Sequence, residues 1–379
     1  MFRMKKMFII PFLLLAWLPI YSQVNGSFIF DGLQRSYITY LPQSYSPDES
    51  YPLLLALHGY TQTGQGMMQF SGLNQIADTA GFIVVYPNGV GNAWNVGFAG
   101  GSTADDVGFL NALIDTLNVF YNIDLKRTYA AGFSNGGFMS YRLACESANR
   151  MAAIASVAGT MTENAFTTCT PQRAVPVLHI HGTNDIVIAY NGGFGNKSVE
   201  QVLSLWTDFN ICPETPVVED LPDLVAEGST VQRFTWGPCS NSTEVALLKV
   251  INGGHTWPGS VGTTGIGNTN RDISASGEIW KFVSRFSLDE NTGVSEVGTT
   301  DLMIYPNPLA DGMLHIIWPA HHEQASVFIY SSNGSVVYHE KMSPDKGDLH
   351  IETASFSPGL YIARVAGGKF NRVSKFVVR

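Results

Sequence analysis

Three short segments carry residue types that together could run nucleophilic catalysis. Gly132-Phe133-Ser134-Asn135-Gly136-Gly137 fits G-x-S-x-G, follows a β-type run and opens into a helical pattern. In that setting the turn is too crowded for bulky flanking side chains. The serine is lifted to a helix N-terminus, where developing negative charge is stabilised. The segment His181-Gly182-Thr183-Asn184-Asp185 offers a carboxylate 51 residues after Ser134, and Gly253-Gly254-His255 offers an imidazole 70 residues further on. A serine hydroxyl alone is a poor nucleophile. His255 would take its proton and return it to the leaving group, while Asp185 would fix the imidazole tautomer and stabilise the imidazolium. Two backbone N–H donors are needed for the oxyanion. Asn135, directly after the serine, and Tyr60, in the loop His58-Gly59-Tyr60-Thr61-Gln62, are the candidates. Trp257 lies two residues past His255 and is read as a pocket wall whose ring could stack on an aromatic acyl group or a sugar.

These residues need a scaffold that brings them together. YPLLLALHG, FIVVYPNG, RTYAAGFSNGG, VPVLHIHGTND and EVALLKVINGGH are apolar runs without polar alternation, as expected of parallel strands covered on both faces. Helical patterns fall between them, as at 104–120 and 198–210. The fold class is therefore α/β, a doubly wound, mostly parallel sheet, with its site at the carboxyl ends of the strands. Asp105-Asp106 before the first of these helices reads as an N-cap with a first-turn charge. His58, His179, His181 and His255 raise the question of a metal site. No H-E-x-x-H or carboxylate-rich motif accompanies them, so neither metal nor cofactor is expected, and His58 and His181 read as histidines packed beneath the active-site loops.

Charge and composition set the surroundings. The 379 residues carry 22 Lys/Arg and 31 Asp/Glu, a net charge of −9, which argues against a nucleic-acid partner. Segment 24–290 holds 12 Lys/Arg and 23 Asp/Glu, a balance that would repel polyanions. Residues 1–23 read as an export signal. Arg3, Lys5 and Lys6 precede an apolar run from Met7 to Ile20, shorter than the roughly 20 residues a spanning helix needs. No transmembrane segment is expected in the mature chain. Four cysteines, Cys145, Cys169, Cys212 and Cys239, form no C-x-x-C pair. In an exported protein an even count favours disulfides over free buried thiols. Of the three pairings, sequence neighbours, Cys145–Cys169 and Cys212–Cys239, close the shorter loops and are preferred. The domain plan is a signal at 1–23, a catalytic α/β domain at 24–286, a polar linker at 287–300 and a small all-β domain at 301–379. In the last, SVFIYSSNGSVVYHE reads as a hairpin around Asn333-Gly334.

The order Ser134, Asp185, His255 is that of α/β-hydrolases. The blocks LALHGYTQTG, DDVGFLNALID, RTYAAGFSNGGFMSYRLACE, PVLHIHGTNDIVIAYNGG and GGHTWPG together resemble the secreted polyhydroxybutyrate depolymerase and feruloyl esterase group of that fold, over about residues 28–286. The resemblance implies a serine esterase that works through an acyl-enzyme, with the triad on Ser134, Asp185 and His255. It also implies disulfides, with Cys145 in the matching LACE block. Some relatives have Cys where this chain has Tyr60, so a bridge there is absent. Feruloyl or acetyl esters of plant polysaccharide are the first expectation for substrate, with polyhydroxybutyrate or another polyester as the alternative. A peptidase, or a non-catalytic surface glycan-binding protein, would be readings of another class. Ile304-Tyr305-Pro306-Asn307-Pro308, GLYIARV and the terminal KFVVR resemble the sorting domain of the type IX secretion system. This implies that system's machinery as a partner and a secreted or outer cell-surface location.

Overall fold

In a computed structural model of the chain, residues 22–98, 101–193, 195–260, 265–288, 302–309, 312–318, 324–331, 334–344, 346–367 and 370–378 are described. Residues 1–21 of the signal, 289–300 of the linker and Asn333 at the hairpin tip fall outside them.

The first ten strands form one sheet: β1 (Gln23–Phe30), β2 (Leu33–Tyr40), β3 (Tyr51–Leu57), β4 (Ile83–Pro87), β5 (Ile123–Phe133), β6 (Ala153–Val157), β7 (Val177–Gly182), β8 (Val217–Asp220), β9 (Thr230–Trp236) and β10 (Val245–Ile251). Their spatial order is β1-β2-β4-β3-β5-β6-β7-β10-β9-β8. Pairings from β4 through β10 are parallel, and the hairpins β1–β2 and β8–β9 close the two edges antiparallel. This is the expected α/β-hydrolase sheet. β1 and β2 turn on Asp31-Gly32, both at positive φ.

Among the described residues, seven helices flank the sheet: α1 (Gly64–Ser71), α2 (Leu73–Ala80), α3 (Asp106–Tyr121), α4 (Asn135–Glu146), α5 (Glu163–Thr168), α6 (Val199–Phe209) and α7 (Ala275–Val283). The apolar run of β3 divides between two cores. Leu53, Leu55 and Leu57 join Phe109, Leu113, Met139 and Trp206 of α3, α4 and α6 on one face. Leu54 and Ala56 join Met67, Phe70, Ala77, Ile279 and Phe282 of α1, α2 and α7 on the other. Side chains alternate across a strand, so a run apolar at every position covers both faces. Asp105 caps α3 by accepting the Gly108 N–H at 2.8 Å. Asp106 instead turns inward, pairing with the buried Arg35 at 2.5 Å and accepting the Asn95 N–H at 2.7 Å.

After a short ribbon, β11 (His255–Thr256) with β12 (Gly265–Ile266), the C-terminal strands are β13 (Met303–Tyr305), β14 (Met313–Ile317), β15 (Ala325–Ser331), β16 (Val336–Met342), β17 (Asp348–Glu352), β18 (Gly359–Gly367) and β19 (Phe370–Val378). They form two antiparallel sheets, β13-β14-β17 and β16-β15-β18-β19, around a core of Leu314, Ile316, Val327, Ile329, Ala363, Val365 and Phe376. Asn307 of the YPNP motif ties to β19, its amide donating to Lys375 O and accepting the Val377 N–H. Tyr330 meets Phe28 edge-on at 6.5 Å, and Arg364 reaches Asp115 of α3 at 3.1 Å, so this sandwich rests on the larger sheet's β1–α3 corner.

Two disulfides link sequence neighbours. Cys145 on the last turn of α4 bonds Cys169, and Cys212 after α6 bonds Cys239, across 24 and 27 residues. Closing loops of this size stabilises a fold by roughly 3 kcal/mol each, in the chain-entropy account. Replacing both Cys212 and Cys239 with Ser should lower the melting temperature by about 6–12 °C. A thermal scan with no shift would show that this bridge leaves stability unchanged.

Candidate active site

β5 runs into α4 with a single residue, Ser134, between them. Its φ of 52° and ψ of −118° place it in a sparsely populated region that costs on the order of 1–3 kcal/mol. Surrounding backbone holds it there. The Ser134 N–H donates to Val157 O at 2.8 Å, and its carbonyl accepts from Gly137 and Phe138 at 2.8 and 3.1 Å. The glycines are required by close approach. A Cβ on Gly132 would lie 2.1 Å from Gly136 O, one on Gly136 would lie 2.1 Å from Leu57 O, and one on Gly159 would lie 2.4 Å from Ser134 O.

The loop after β7 and the turn after β10 bring Asp185 and His255 to the same place. His255 Nε2 is 2.9 Å from Ser134 Oγ, and His255 Nδ1 is 2.7 Å from Asp185 Oδ2. All three side chains are buried. Asp185 Oδ1 accepts the N–H groups of Val187 and Ile188, each at 2.8 Å. Burial alone would raise the Asp185 carboxyl. Hydrogen bonds from His181 and His255 outweigh it and hold the group well below the usual carboxylate range. An anionic Asp185 keeps the proton on His255 Nδ1, so Nε2 turns its lone pair to the Ser134 hydroxyl.

Asn135 opens α4, where the first N–H has no intrahelical partner. Its side chain does separate work, accepting the Trp94 N–H at 2.6 Å and donating to Trp94 O at 3.3 Å. The Trp94 indole donates to His58 O at 2.9 Å and lies against the His58 ring. His58 in turn accepts the Gly89 N–H at 3.0 Å and donates from Nδ1 to Gly59 O at 2.7 Å. Gln62 accepts the Gly59 N–H at 2.9 Å. Tyr60 therefore sits on a loop pinned from both sides and is 60% exposed.

The expectation for Trp257 requires correction. Its side chain is fully buried, edge-on to Phe70 and Phe133 at 6.0 and 6.4 Å, with its indole N–H on Ser276 Oγ. It supports Phe133, whose ring lies 5.0 Å from that of His255, rather than lining an open wall. Position in the chain, two residues past His255, says nothing of which way a ring turns. Exposed apolar groups occur elsewhere: Ile186, 79% exposed, follows Asp185 directly, and Ile266 is the register partner of His255 in β11–β12.

Residues 32–220 match the Esterase family model, and residues 303–379 match the secretion system C-terminal sorting domain. NocK of Nocardia uniformis subsp. tsuyamanensis, whose name places it among esterases, is 30% identical over 253 residues, 60% of this chain and 72% of NocK. The chain belongs to the esterase family. The chain is also 33% identical over 270 residues to the bifunctional acetylxylan esterase/xylanase XynS20E of Neocallimastix patriciarum, covering 70% of the chain and 36% of that protein. It is 29% identical over 270 residues to feruloyl esterase B of Piromyces equi, covering 67% of the chain and 46% of that protein. It thus spans between about a third and a half of those two relatives. Its sorting domain marks the esterase as exported, secreted or held at the cell surface. Among the described residues, no helix is long and apolar enough to cross a membrane.

The supports beneath the site were only partly legible in the sequence. His58 and His181 could be read as packed below the loops, but the Asn135 side chain and Trp94 carried no motif of their own. Burial pushes His58 down from 6.5 to about 4. Between those values the unfolded esterase binds a proton at His58 that the folded one does not. Stability therefore rises with pH through this window and is lost as pH falls from 6.5 toward 4. Each such proton contributes a slope of about 1.4 kcal/mol per pH unit. His58→Gln keeps an acceptor and a donor and should flatten the pH dependence of urea unfolding by about one proton. An unchanged slope would show that His58 titrates alike in both states.

Proposed function

We propose that this esterase hydrolyses carboxylic esters with Ser134 as nucleophile, His255 as general base and acid, and Asp185 as the carboxylate that orients it. The observation that carries the reading is the continuous hydrogen-bonded path Ser134 Oγ–His255 Nε2, His255 Nδ1–Asp185 Oδ2, at 2.9 and 2.7 Å, at the carboxyl ends of three parallel strands. Ser134 attacks the ester carbonyl as its proton passes to His255. The main-chain N–H groups of Asn135 and Tyr60 receive the oxyanion. His255 protonates the departing alcohol; it then takes a proton from water as that water attacks the acyl carbonyl, and returns the proton to Ser134 Oγ as the acid leaves. No cofactor enters these steps.

Acetyl or feruloyl esters of plant polysaccharide are the proposed substrates, as the names of the relatives in Neocallimastix patriciarum and Piromyces equi suggest for those proteins. The exposed Ile186, Ile266 and Tyr60 beside the catalytic loops favour an apolar acyl group. Type IX secretion machinery is the proposed partner of residues 301–379, and 24–286 the proposed catalytic unit. Ser134→Ala should reduce turnover of methyl ferulate and acetylated xylan by about 10⁴-fold or more while leaving the melting temperature near that of the parent. Retained turnover would overturn the assignment of Ser134. Rates on methyl ferulate, acetylated xylan and short-chain polyhydroxybutyrate, measured side by side, test the substrate class, and preference for the polyester would overturn it.

A further inference from the structure

Polar contacts continue beyond Asp185. His181 Nε2 lies 3.3 Å from Asp185 Oδ2, the oxygen that also faces His255, and 2.8 Å from Ile188 O. On its other side, His181 Nδ1 is 3.1 Å from His179 Nε2. His179 Nδ1 is 2.7 Å from the hydroxyl of Tyr141 on α4. The planes of the two imidazoles are nearly parallel, with ring centres 5.2 Å apart, and Tyr141, His179 and His181 are essentially without solvent contact. A buried polar row of this length is costly unless every donor and acceptor is matched.

Matching decides where each proton sits. Ile188 O is a carbonyl and only accepts, so His181 Nε2 carries hydrogen. If His181 is neutral, its Nδ1 accepts, His179 Nε2 donates, and His179 Nδ1 accepts from the Tyr141 hydroxyl. Every proton then has a partner, and every donor points toward Asp185. If His181 were an imidazolium, the row would reverse and His179 would donate to the Tyr141 oxygen. The Tyr141 hydroxyl proton would then lack an acceptor among the described residues. Burial, with the neighbouring His181, also holds His179 well below its usual range, as a neutral ring requires.

Other titratable groups stand around His181. Tyr190 lies edge-on to it at 5.9 Å, with Glu200 hydrogen-bonded to Tyr190. Lys249, its register partner on β10, places its ammonium 5.0 Å from the Tyr190 ring centre. Asp185 is already shared with His255.

We propose that Tyr141, His179 and His181 form a proton-ordered relay that positions Asp185, with His181 as its neutral terminal donor. The proposal rests on the triad reading above and extends it to residues that touch no substrate. His181 acts by two routes. It pins Ile188, whose own N–H donates to Asp185 Oδ1. It also withdraws charge from Asp185 Oδ2, so the carboxylate stabilises the His255 imidazolium less than it otherwise would. Loss of the donor therefore raises the pH at which His255 becomes a free base.

The test is the rate at which a fluorophosphonate probe labels Ser134 in the full chain, followed from pH 4 to 9. In the parent this rate rises with loss of the His255 proton. His181→Asn cannot reach Asp185, and its labelling midpoint should move up by about half a unit to one unit. Its maximal rate should fall about tenfold, in line with other residues that orient a reacting group. His181→Gln, which carries an amide N–H near the Nε2 position, should return the midpoint toward the parent's. Tyr141→Phe should shift it in the same direction by a smaller amount. A merely structural role would lower the rate and leave the midpoint in place, and that result with His181→Asn would overturn the relay. If His181→Asn does not fold, an unmoved midpoint in Tyr141→Phe does the same. A parent that never labels would overturn the triad itself and the relay with it, which separates the two failures.

Discussion

The site depends on how closely backbone approaches backbone around Ser134. The residue is held at a positive φ because β5, α4 and the turn after β6 meet there without side chains between them. Gly132, Gly136 and Gly159 each leave a gap that a methyl group would overfill against a carbonyl. The sheet supplies the force that sustains this. β3, β5 and β6 are neighbours, and their buried residues fill cores on both faces. A strained residue persists where its surroundings over-determine it. Here the strain aims the Ser134 hydroxyl at His255 and sets the first N–H of α4 beside it.

Electrostatic order follows from the same enclosure. Asp185 is buried, which alone would favour its neutral form, yet it faces two backbone N–H groups and two imidazoles. Hydrogen-bond donors replace water around the carboxylate and keep it charged. His58 does the opposite. It is buried against Trp94 with an N–H to accept and a carbonyl to donate to, and it stays neutral. The two environments give one neutral ring after β3 and one anion after β7, both at the carboxyl end of the same sheet.

The C-terminal sandwich has its own core and meets the larger sheet through a few groups. Tyr330 packs on Phe28, and Asp115 of α3 accepts from both Arg150 and Arg364. Arg364 lies on β18, within the region that matches the sorting domain. The contact is on the β1–α3 side, whereas Ser134, Asp185 and His255 lie on loops after β5, β7 and β10. Among the described residues, the C-terminal strands touch the larger sheet without supplying a side chain to the Ser134–His255–Asp185 path.

Residue type and order along the chain determined a good deal. G-x-S-x-G after an apolar run, then Asp185, then His255, named three residues that the structure brings within hydrogen-bonding distance, because local turn chemistry and strand periodicity are encoded locally. Unbroken apolar runs announced β3, β4, β5, β7 and β10. β6, short and rich in small residues (AIASV), is too weak a signal to be read as a strand, and the antiparallel edges β1–β2 and β8–β9 carry no clear pattern either. Neighbouring cysteines could be preferred as partners, but only the positions of α4, α5, α6 and β9 brought each pair together. Ring orientation was beyond the sequence altogether. Trp257 near His255 could face a pocket or a core, and packing against Phe70 and Phe133 turned it inward. His179 and His181 could be seen to alternate with Ile180 on a strand. Only the approach of Tyr141 from α4 and of Asp185 from the next loop joined them into one row, because hydrogen bonds between distant segments are set by tertiary distance, which no local pattern encodes.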